Sequence, residues 1–153
     1  MKTITPNLWF DGNAKEAIDF YISVFPNSTI LSIEYYPKSK EDGLADFQKN
    51  LAGKVLTIEF ELNGVAFVAI NAGPEFTFNE AISFAISCKD QEEIDYFWSK
   101  LSSVPEAEQC GWCKDKYGLS WQIVPENIQE LMAKPNAFKI LMKQKKIVIS
   151  EYK

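Results

Sequence analysis

Hydrophobic and polar residues alternate in several short runs of this chain, and such alternation predicts β-strands that are buried on one face. Two other runs place apolar residues three and four positions apart, the spacing of an amphipathic helix. The predicted strands are residues 3–10, 29–36, 55–62, 65–71, 81–88, 109–114, 119–124 and 147–149. Residues 38–49, between two strands, are charged and polar and predict a loop.

The capping residues of the two amphipathic runs agree with their periodicity. The first helix is predicted to begin after Asn13, with Glu16 three residues later in a capping-box arrangement, and to stop at Pro26. The second is predicted to begin after Asp90, with Glu93 three residues later. Each amphipathic helix needs a sheet or another helix to cover its apolar face.

The two predicted helices resemble each other in sequence, and the elements around them recur in the same order. Residues 18–21 read Ile-Asp-Phe-Tyr, and residues 94–97 read Ile-Asp-Tyr-Phe, 76 positions later. Each helix follows one strand and precedes others, including a hairpin predicted at Asn63-Gly64. One strand of the second half is shortened or missing near Val104-Pro105.

The sequence therefore predicts an α+β fold with two βαβββ modules in a single domain of residues 1–153. The first module covers about residues 1–73 and the second about 79–125. Residues 126–153 add two helical segments, at 127–133 and 136–144, and the last short strand.

Composition excludes several classes of protein. The net charge is −5 and the pI about 4.8, so no basic stripe is available to bind nucleic acid. The lysine-rich run at residues 143–146 is typical of a helix end that complements its own dipole. No apolar stretch predicts a signal peptide or a membrane span, and three cysteines are typical of a reduced protein. We therefore expect a cytoplasmic protein with no membrane partner.

Cys110 and Cys113 form a Cys-x-x-Cys motif, which in other proteins supports redox chemistry or half a zinc site. Here the motif lies in a predicted strand rather than at a helix N-terminus. Residues three apart on a strand face opposite sides, so the two thiols are expected to diverge. Only Cys88 remains as a further sulfur ligand, and we interpret the pair as small strand residues.

A group of short motifs resembles the PhnB-like branch of the vicinal oxygen chelate superfamily, which includes glyoxalase I, extradiol dioxygenases and bleomycin-binding proteins. The motifs are residues 5–13, 16–17, 20–21, 25–28, 71–74, 76, 78–81, 110–112 and 115–122. The resemblance implies the glyoxalase/dihydroxybiphenyl dioxygenase-like fold, in which two modules curl their mixed sheets around one cleft. It also implies a homodimer.

The metal-binding positions of that superfamily are occupied differently here. Its enzymes place His, Glu or Gln on the first strand of each module and a carboxylate on the last strand. The resemblance aligns Thr5 and Ala81 with the first-strand positions and Gln122 with the last-strand position of module two. The last-strand position of module one falls near Ala69 or Asn71. These side chains do not replace imidazole and carboxylate ligands, so we expect no bound metal and no other cofactor.

Members of this branch often carry the label 3-demethylubiquinone-9 3-methyltransferase. A nucleotide-type S-adenosylmethionine site begins with closely spaced glycines after a strand. The seven glycines of this chain never come within five residues of one another. The residues therefore do not predict methyl transfer.

Strand alternation assigns a set of polar and aromatic side chains to the concave face of the predicted sheets. The residues expected to bind a ligand are Asn7, Trp9, Glu59, Asn71, Phe78, Ser83, Trp112 and Gln122. The alternative to ligand binding, for each aromatic residue, is packing in the hydrophobic core or at a dimer interface. Glu59 is a candidate base if it is desolvated in the cleft, and otherwise a solvated strand carboxylate.

The leading hypothesis is a homodimeric, metal-independent protein that binds a small organic molecule. A second hypothesis is an enzyme of lyase, isomerase or dioxygenase type that uses Glu59 or Gln122 with a weak or substrate-borne metal. A third is a protein whose aromatic surface serves assembly with a partner.

Overall fold

The protein is described by a computed structural model that covers residues 3–153 and divides into two compact units, one ending at residue 77 and one beginning at residue 78. Met1 and Lys2, which the first predicted module includes, lie outside the described residues. The mixed α+β class is confirmed, because each unit contains a mixed sheet and at least one helix packed on it. That both units form one domain stays a prediction.

Unit one has the predicted order of one strand, one helix and three strands. Its elements are β1 (Asn7–Asp11), α1 (Ala14–Val24), β2 (Thr29–Tyr35), a short 3₁₀ helix (Asp46–Leu51), β3 (Val55–Leu62) and β4 (Val65–Ala72). The sheet order is β1-β4-β3-β2, with β1 parallel to β4 and the other pairs antiparallel. The Asn63-Gly64 hairpin is confirmed, since both residues have the positive φ of a tight two-residue turn.

The predicted capping box of α1 is wrong, although the helix bounds agree. The Asn13 side chain makes no capping hydrogen bond. Instead the first helical N–H, that of Ala14, donates to Oδ1 of Asn71 at 3.1 Å. The Asn71 amide group also donates to the carbonyl of Val55 at 2.9 Å. An amide from the last strand thus replaces the local cap, and it connects three segments of unit one.

The segment predicted as the charged loop of residues 38–49 is partly ordered by local structure. Residues 39–44 form turns with backbone hydrogen bonds, and the 3₁₀ helix begins at Asp46. Leu44 is buried, whereas Phe47 is exposed. The loop is therefore anchored at one apolar residue.

Unit two begins with β5 (Ser83–Cys88) and α2 (Gln91–Leu101), followed by a 3₁₀ helix (Pro105–Ala107), β6 (Trp112–Lys114) and β7 (Ser120–Pro125). The sheet order is β5-β7-β6, with β5 parallel to β7. The predicted cap of α2 is confirmed, because Oδ1 of Asp90 accepts from the N–H of Glu93 at 2.9 Å.

The second module has three strands where the full βαβββ pattern has four. The 3₁₀ helix occupies the position of the missing strand, in agreement with the shortening predicted near Val104-Pro105. Proline lacks the N–H that a strand would supply at this edge. One backbone bond, from Ser103 N to Lys114 O at 2.9 Å, connects the segment to β6.

The C-terminal residues belong to unit two and contain α3 (Ile128–Met132), α4 (Ala137–Lys143) and a last 3₁₀ helix (Ile149–Glu151). The strand predicted at residues 147–149 is wrong. Ile147 is fully buried in a cluster with Leu131 and Tyr152, so its apolar character reflects packing. The segment pairs with a side chain, since the Gln91 amide donates to Ile147 O at 3.0 Å and accepts from Ile149 N at 2.8 Å.

Among residues 3–153, no helix combines the length and apolarity needed to cross a membrane.

Candidate functional site

Each sheet has a helix face, which packs against α1 or α2, and a far face, which is turned away from that helix. In unit one, Leu8, Ile58 and Ala69 form one row of the helix face and are buried. Phe60 stacks on Phe67 on the same face at 5.4 Å between ring centroids. The polar and aromatic residues that the sequence brought forward fall mainly on the far faces.

Two rows of neighbouring side chains cross the far face of sheet one. Strand register places Trp9, Ile70, Thr57 and Glu34 in one row, and Asn7, Val68, Glu59 and Ser32 in the next. This confirms that Asn7 and Trp9 share a face and that Glu59 lies opposite the apolar side of β3. The middle of the face is aliphatic, and the carboxylates lie toward β2.

Trp9 is held at the β1 edge of this face by contacts to the segment that follows β4. Its indole N–H donates to the carbonyl of Gly73 at 2.9 Å. Phe76 packs edge-on against the indole at 4.8 Å between centroids, with 78° between the ring planes. Trp9 is half-buried and Phe76 is exposed, so a partly accessible aromatic pair borders the sheet.

Asn7 and Glu59, the two predicted polar residues of the second row, have open surroundings. Asn7 is exposed and donates from its amide to Thr5 O at 3.0 Å. Glu59 is also exposed, and one of its carboxylate oxygens accepts from the Ser32 hydroxyl at 3.2 Å. Within unit one, Glu59 is therefore placed as a solvated strand carboxylate rather than a desolvated one.

The predicted placement of Asn71 on the ligand-facing side is wrong. Asn71 is 4% exposed and lies on the helix face, where both ends of its amide are bonded within unit one. A slip of one residue on β4 exchanges its two faces. The far-face residue of β4 opposite Trp9 is Ile70, which therefore corresponds to Gln122 in unit two.

Two rows also cross the far face of sheet two. Register places Ser83, Ser120 and Lys114 in one row and Ala85, Gln122 and Trp112 in the next. Ser83 and Gln122, both expected to bind a ligand, are in contact, because the Gln122 amide donates to the Ser83 hydroxyl oxygen at 2.8 Å. Trp112 is half-buried, as are Ser83 and Gln122.

Lys114 and Glu80 extend this polar group, and the sequence reasoning missed both. The Lys114 ammonium pairs with the Glu80 carboxylate, which lies on the segment before β5. The hydrogen bond from Lys114 holds the pKa of Glu80 below its usual range. Strand alternation through the turn at residues 115–118 could have placed Lys114 beside Ser120, whereas its partner Glu80 carries no local signal.

Ser120 is the most deeply buried polar residue of this group. It is 1% exposed, and its hydroxyl oxygen has no hydrogen-bond partner among the described residues. Phe78 is half-buried near the turn between β6 and β7. Its Cβ lies 4.0 Å from the position that a Cβ would take on Gly118. Unit two thus combines hydroxyl, amide, ammonium and aromatic groups near one sheet face.

The Cys-x-x-Cys motif is divided between a turn and a strand. Gln109 and Trp112 exchange backbone hydrogen bonds around Cys110 and Gly111, which both have positive φ. The predicted strand of residues 109–114 therefore starts only at Trp112. All three thiols are free, and burial raises the pKa of the Cys113 thiol to about 12. A redox pair is not formed in this structure.

Comparison with known proteins identifies relatives of the whole two-module region. The family model of 3-demethylubiquinone-9 3-methyltransferase matches residues 2–124. Among solved structures, the PhnB protein of Bacillus cereus is 37% identical, with a TM-score of 0.63, over 81% of this chain and 99% of that chain. Protein PA1353 of Pseudomonas aeruginosa is 17% identical with a TM-score of 0.56, over 82% and 98% of the two chains, and shares the fold. No curated protein matches the sequence.

Proposed function

This chain belongs to the PhnB-like 3-demethylubiquinone-9 3-methyltransferase family, and from that premise we propose that it binds a small organic molecule without a metal held by its own side chains. The ligand contacts the far face of sheet two, with the far face of sheet one as the second candidate surface. The main support for the proposal is the arrangement of side chains around Gln122. Its amide joins the two rows of sheet two beside a half-buried Trp112.

The residues at the superfamily's metal positions do not fit a metal centre. Thr5 and Ala81 precede their strands and offer a hydroxyl and a methyl group. Ile70 and Gln122 occupy the last-strand positions, and an alkyl group and an amide are poor ligands for a divalent ion. Among residues 3–153, no three His, Cys, Asp or Glu side chains are grouped to hold one.

The side chains of sheet two suit an organic ligand with polar groups. Binding sites of this kind combine aromatic surface with a few fixed hydrogen-bonding groups. Trp112 supplies the aromatic surface, and Ser83 with Gln122 supplies a fixed donor and acceptor pair. Sheet one offers Trp9 with Phe76 and fewer polar groups near them.

Methyl transfer, the activity in the family's description, finds no support in the glycines. Six of the seven glycines have positive φ; Gly64 and Gly118 occupy turns between strands, and Gly111 lies in the turn before β6. Their conformations account for glycine at these positions through turn geometry.

The test is a binding experiment on the untagged full chain. Native mass spectrometry and solvent extraction identify any copurified molecule, and calorimetry then measures its affinity. We expect Trp112→Ala and Gln122→Leu to weaken binding at least about tenfold, a loss of about 1.4 kcal/mol. Gln129→Leu, which changes an exposed glutamine on α3, is the matched control and should bind as the parent does.

Two outcomes would contradict the proposal. One is elemental analysis showing near-stoichiometric zinc, nickel, manganese or iron in untagged protein. The other is unchanged affinity in both site variants. Turnover of the identified molecule would instead favour an enzyme that uses Gln122 or Glu59.

Assembly as a homodimer is a separate proposal. It is supported by exposed apolar side chains on β2, where Leu31 and Tyr35 are each more than half exposed at a sheet edge. Size-exclusion chromatography with light scattering should give twice the mass of the 153-residue chain. A monomer at tens of micromolar would contradict it.

A further inference from the structure

Two hydroxyls and an ammonium group occupy one row across the far face of sheet two. Ser120 on β7 is the register partner of Ser83 on β5 and of Lys114 on β6. Side chains of directly paired residues point to the same face and are close neighbours. The row therefore presents three hydrogen-bond donors from three strands.

The hydroxyl at the centre of the row is a buried polar group with no hydrogen-bond partner in the described part of the chain. Ser120 is 1% exposed, and none of the described residues pairs with its hydroxyl oxygen. Buried polar groups in native proteins are nearly always hydrogen-bonded, to protein, water or ligand. Ser83 accepts from Gln122, which leaves its own hydroxyl proton for donation.

A carboxylate already occupies the outer end of the row. Glu80 pairs with Lys114, and its side chain is more than half exposed, whereas that of Lys114 is about one quarter exposed. Ion pairs of such exposure contribute little stability. Lys114 is thus a carboxylate-binding group whose present partner can be displaced.

We propose that this row binds the carboxylate of a small organic acid, which replaces Glu80 on Lys114 and accepts hydrogen bonds from Ser120 and Ser83. The hydrocarbon part of the acid lies along the neighbouring row, against Trp112. The inference rests on the proposed function and specifies its ligand class. Glu80 acts as an internal competitor that fills the position in the free protein.

The experiment is calorimetric titration of the full chain with acids and their neutral amides, namely benzoate against benzamide and hexanoate against hexanamide. The acids should bind at least about tenfold more tightly than the amides, because charge-assisted hydrogen bonds are the stronger ones. Lys114→Met should lose that preference. Glu80→Gln should bind the acids about threefold more tightly, the gain expected when a weak surface pair no longer competes.

Ser120→Ala provides an independent test if Lys114→Met fails to fold. It removes a hydroxyl that makes no bond within the chain, so the protein should remain as stable while its affinity for benzoate falls at least about fivefold. Lys89→Met is the control, since Lys89 is an exposed lysine near Glu93 and outside the row. It should bind the acids as the parent does.

Equal binding of acids and amides overturns the inference and leaves the proposed small-molecule function standing. An unchanged affinity in Glu80→Gln and Ser120→Ala overturns it as well. If none of the four probes binds while a neutral copurified molecule is found, the carboxylate assignment is wrong and the proposed function is supported.

Discussion

Trp9 and Ile70 are neighbours on the parallel pair β1–β4, and Ala85 and Gln122 occupy the same register on β5–β7. The two units share a backbone arrangement and differ in the side chains that it places on the two faces of each sheet. Unit one places bulky apolar side chains on its far face and buries an amide, Asn71, beneath its helix. Unit two places amide and hydroxyl groups on its far face and has Ile123 at the position equivalent to Asn71.

The buried amide is required in one unit and absent from the other because the two helices begin differently. Asp90 caps α2 locally, so no polar side chain is needed from the last strand of unit two, and an apolar residue, Ile123, occupies that position. Asn13 does not cap α1, so the last strand of unit one supplies the acceptor. In a repeated fold, the helix N-terminus can therefore be capped by a side chain of the adjacent loop in one unit and by a buried side chain of a distant strand in the other.

The largest effect is expected at Asn71. Asn71→Ala leaves the N–H of Ala14 and the carbonyl of Val55 without their partner, and should lower the free energy of unfolding by about 3 kcal/mol. Urea denaturation followed by circular dichroism measures it. Asn13→Ala is the control and should change stability by less than about 0.5 kcal/mol. Equal losses in the two variants would show that α1 is capped locally.

The second effect concerns the helix face of sheet two, where Cys113 stands at the position of Ile58 in sheet one. Burial raises the pKa of the Cys88 and Cys113 thiols from 9.0 to about 12, with nearby carboxylates adding to it. The folded protein keeps these protons after the unfolded chain has lost them. The stability is complete below about pH 9 and is lost as pH rises toward 12.

At about pH 10 each thiol should lower the free energy of unfolding by about 1 kcal/mol relative to neutral pH. Cys113→Ala should reduce that pH-dependent loss by the same amount, whereas Ser87→Ala, a change on the exposed side of β5, should leave it intact. Urea titrations at about pH 8 and about pH 10 make the comparison. A Cys113→Ala protein as sensitive to alkali as the parent would contradict the burial of this thiol.

A smaller effect tests the local cap of unit two. Asp90→Ala removes the acceptor for the N–H of Glu93 and should lower the free energy of unfolding by about 1 kcal/mol. Asp90→Asn should retain most of the stability, because asparagine caps nearly as well. Loss of the full amount in both variants would mean that the charge, rather than the hydrogen bond, stabilises α2.

The smallest effect is expected at Glu59. Glu59 is exposed, and Glu59→Gln keeps an acceptor for the Ser32 hydroxyl, so the change in stability should be less than about 0.5 kcal/mol. Binding of a copurified ligand should also be unchanged if the ligand contacts sheet two alone. A clear loss of affinity would assign the far face of sheet one to the site.

Local signals predicted most of the elements. Both helices, the Asn63-Gly64 hairpin and the bounds of β3 follow from spacing and turn chemistry within a few residues. The strand predicted at residues 147–149 failed because Ile147 is apolar for packing against Leu131 and Tyr152. A short apolar run does not indicate whether the segment forms a β-strand or packs into the core without one.

The site was predicted less completely, because its geometry depends on distant partners. Trp9 and Gln122 could be placed on their faces by alternation, and Ser83 by the internal repeat. Asn71 could not, since its partner at Ala14 is 57 residues away and a buried capping amide looks like a ligand-binding one in sequence. The pairing of Glu80 with Lys114 is equally invisible before the chain is folded.

The origin of each cap also sets the order in which the helices can form. Asp90 and Glu93 are three residues apart, so α2 can close its first turn as soon as that segment collapses. The cap of α1 requires a loop of 57 residues to close first, and loop closure of that length is entropically costly and slow. We therefore expect pulsed hydrogen exchange during refolding to protect α2 before α1, although α1 comes first in the chain.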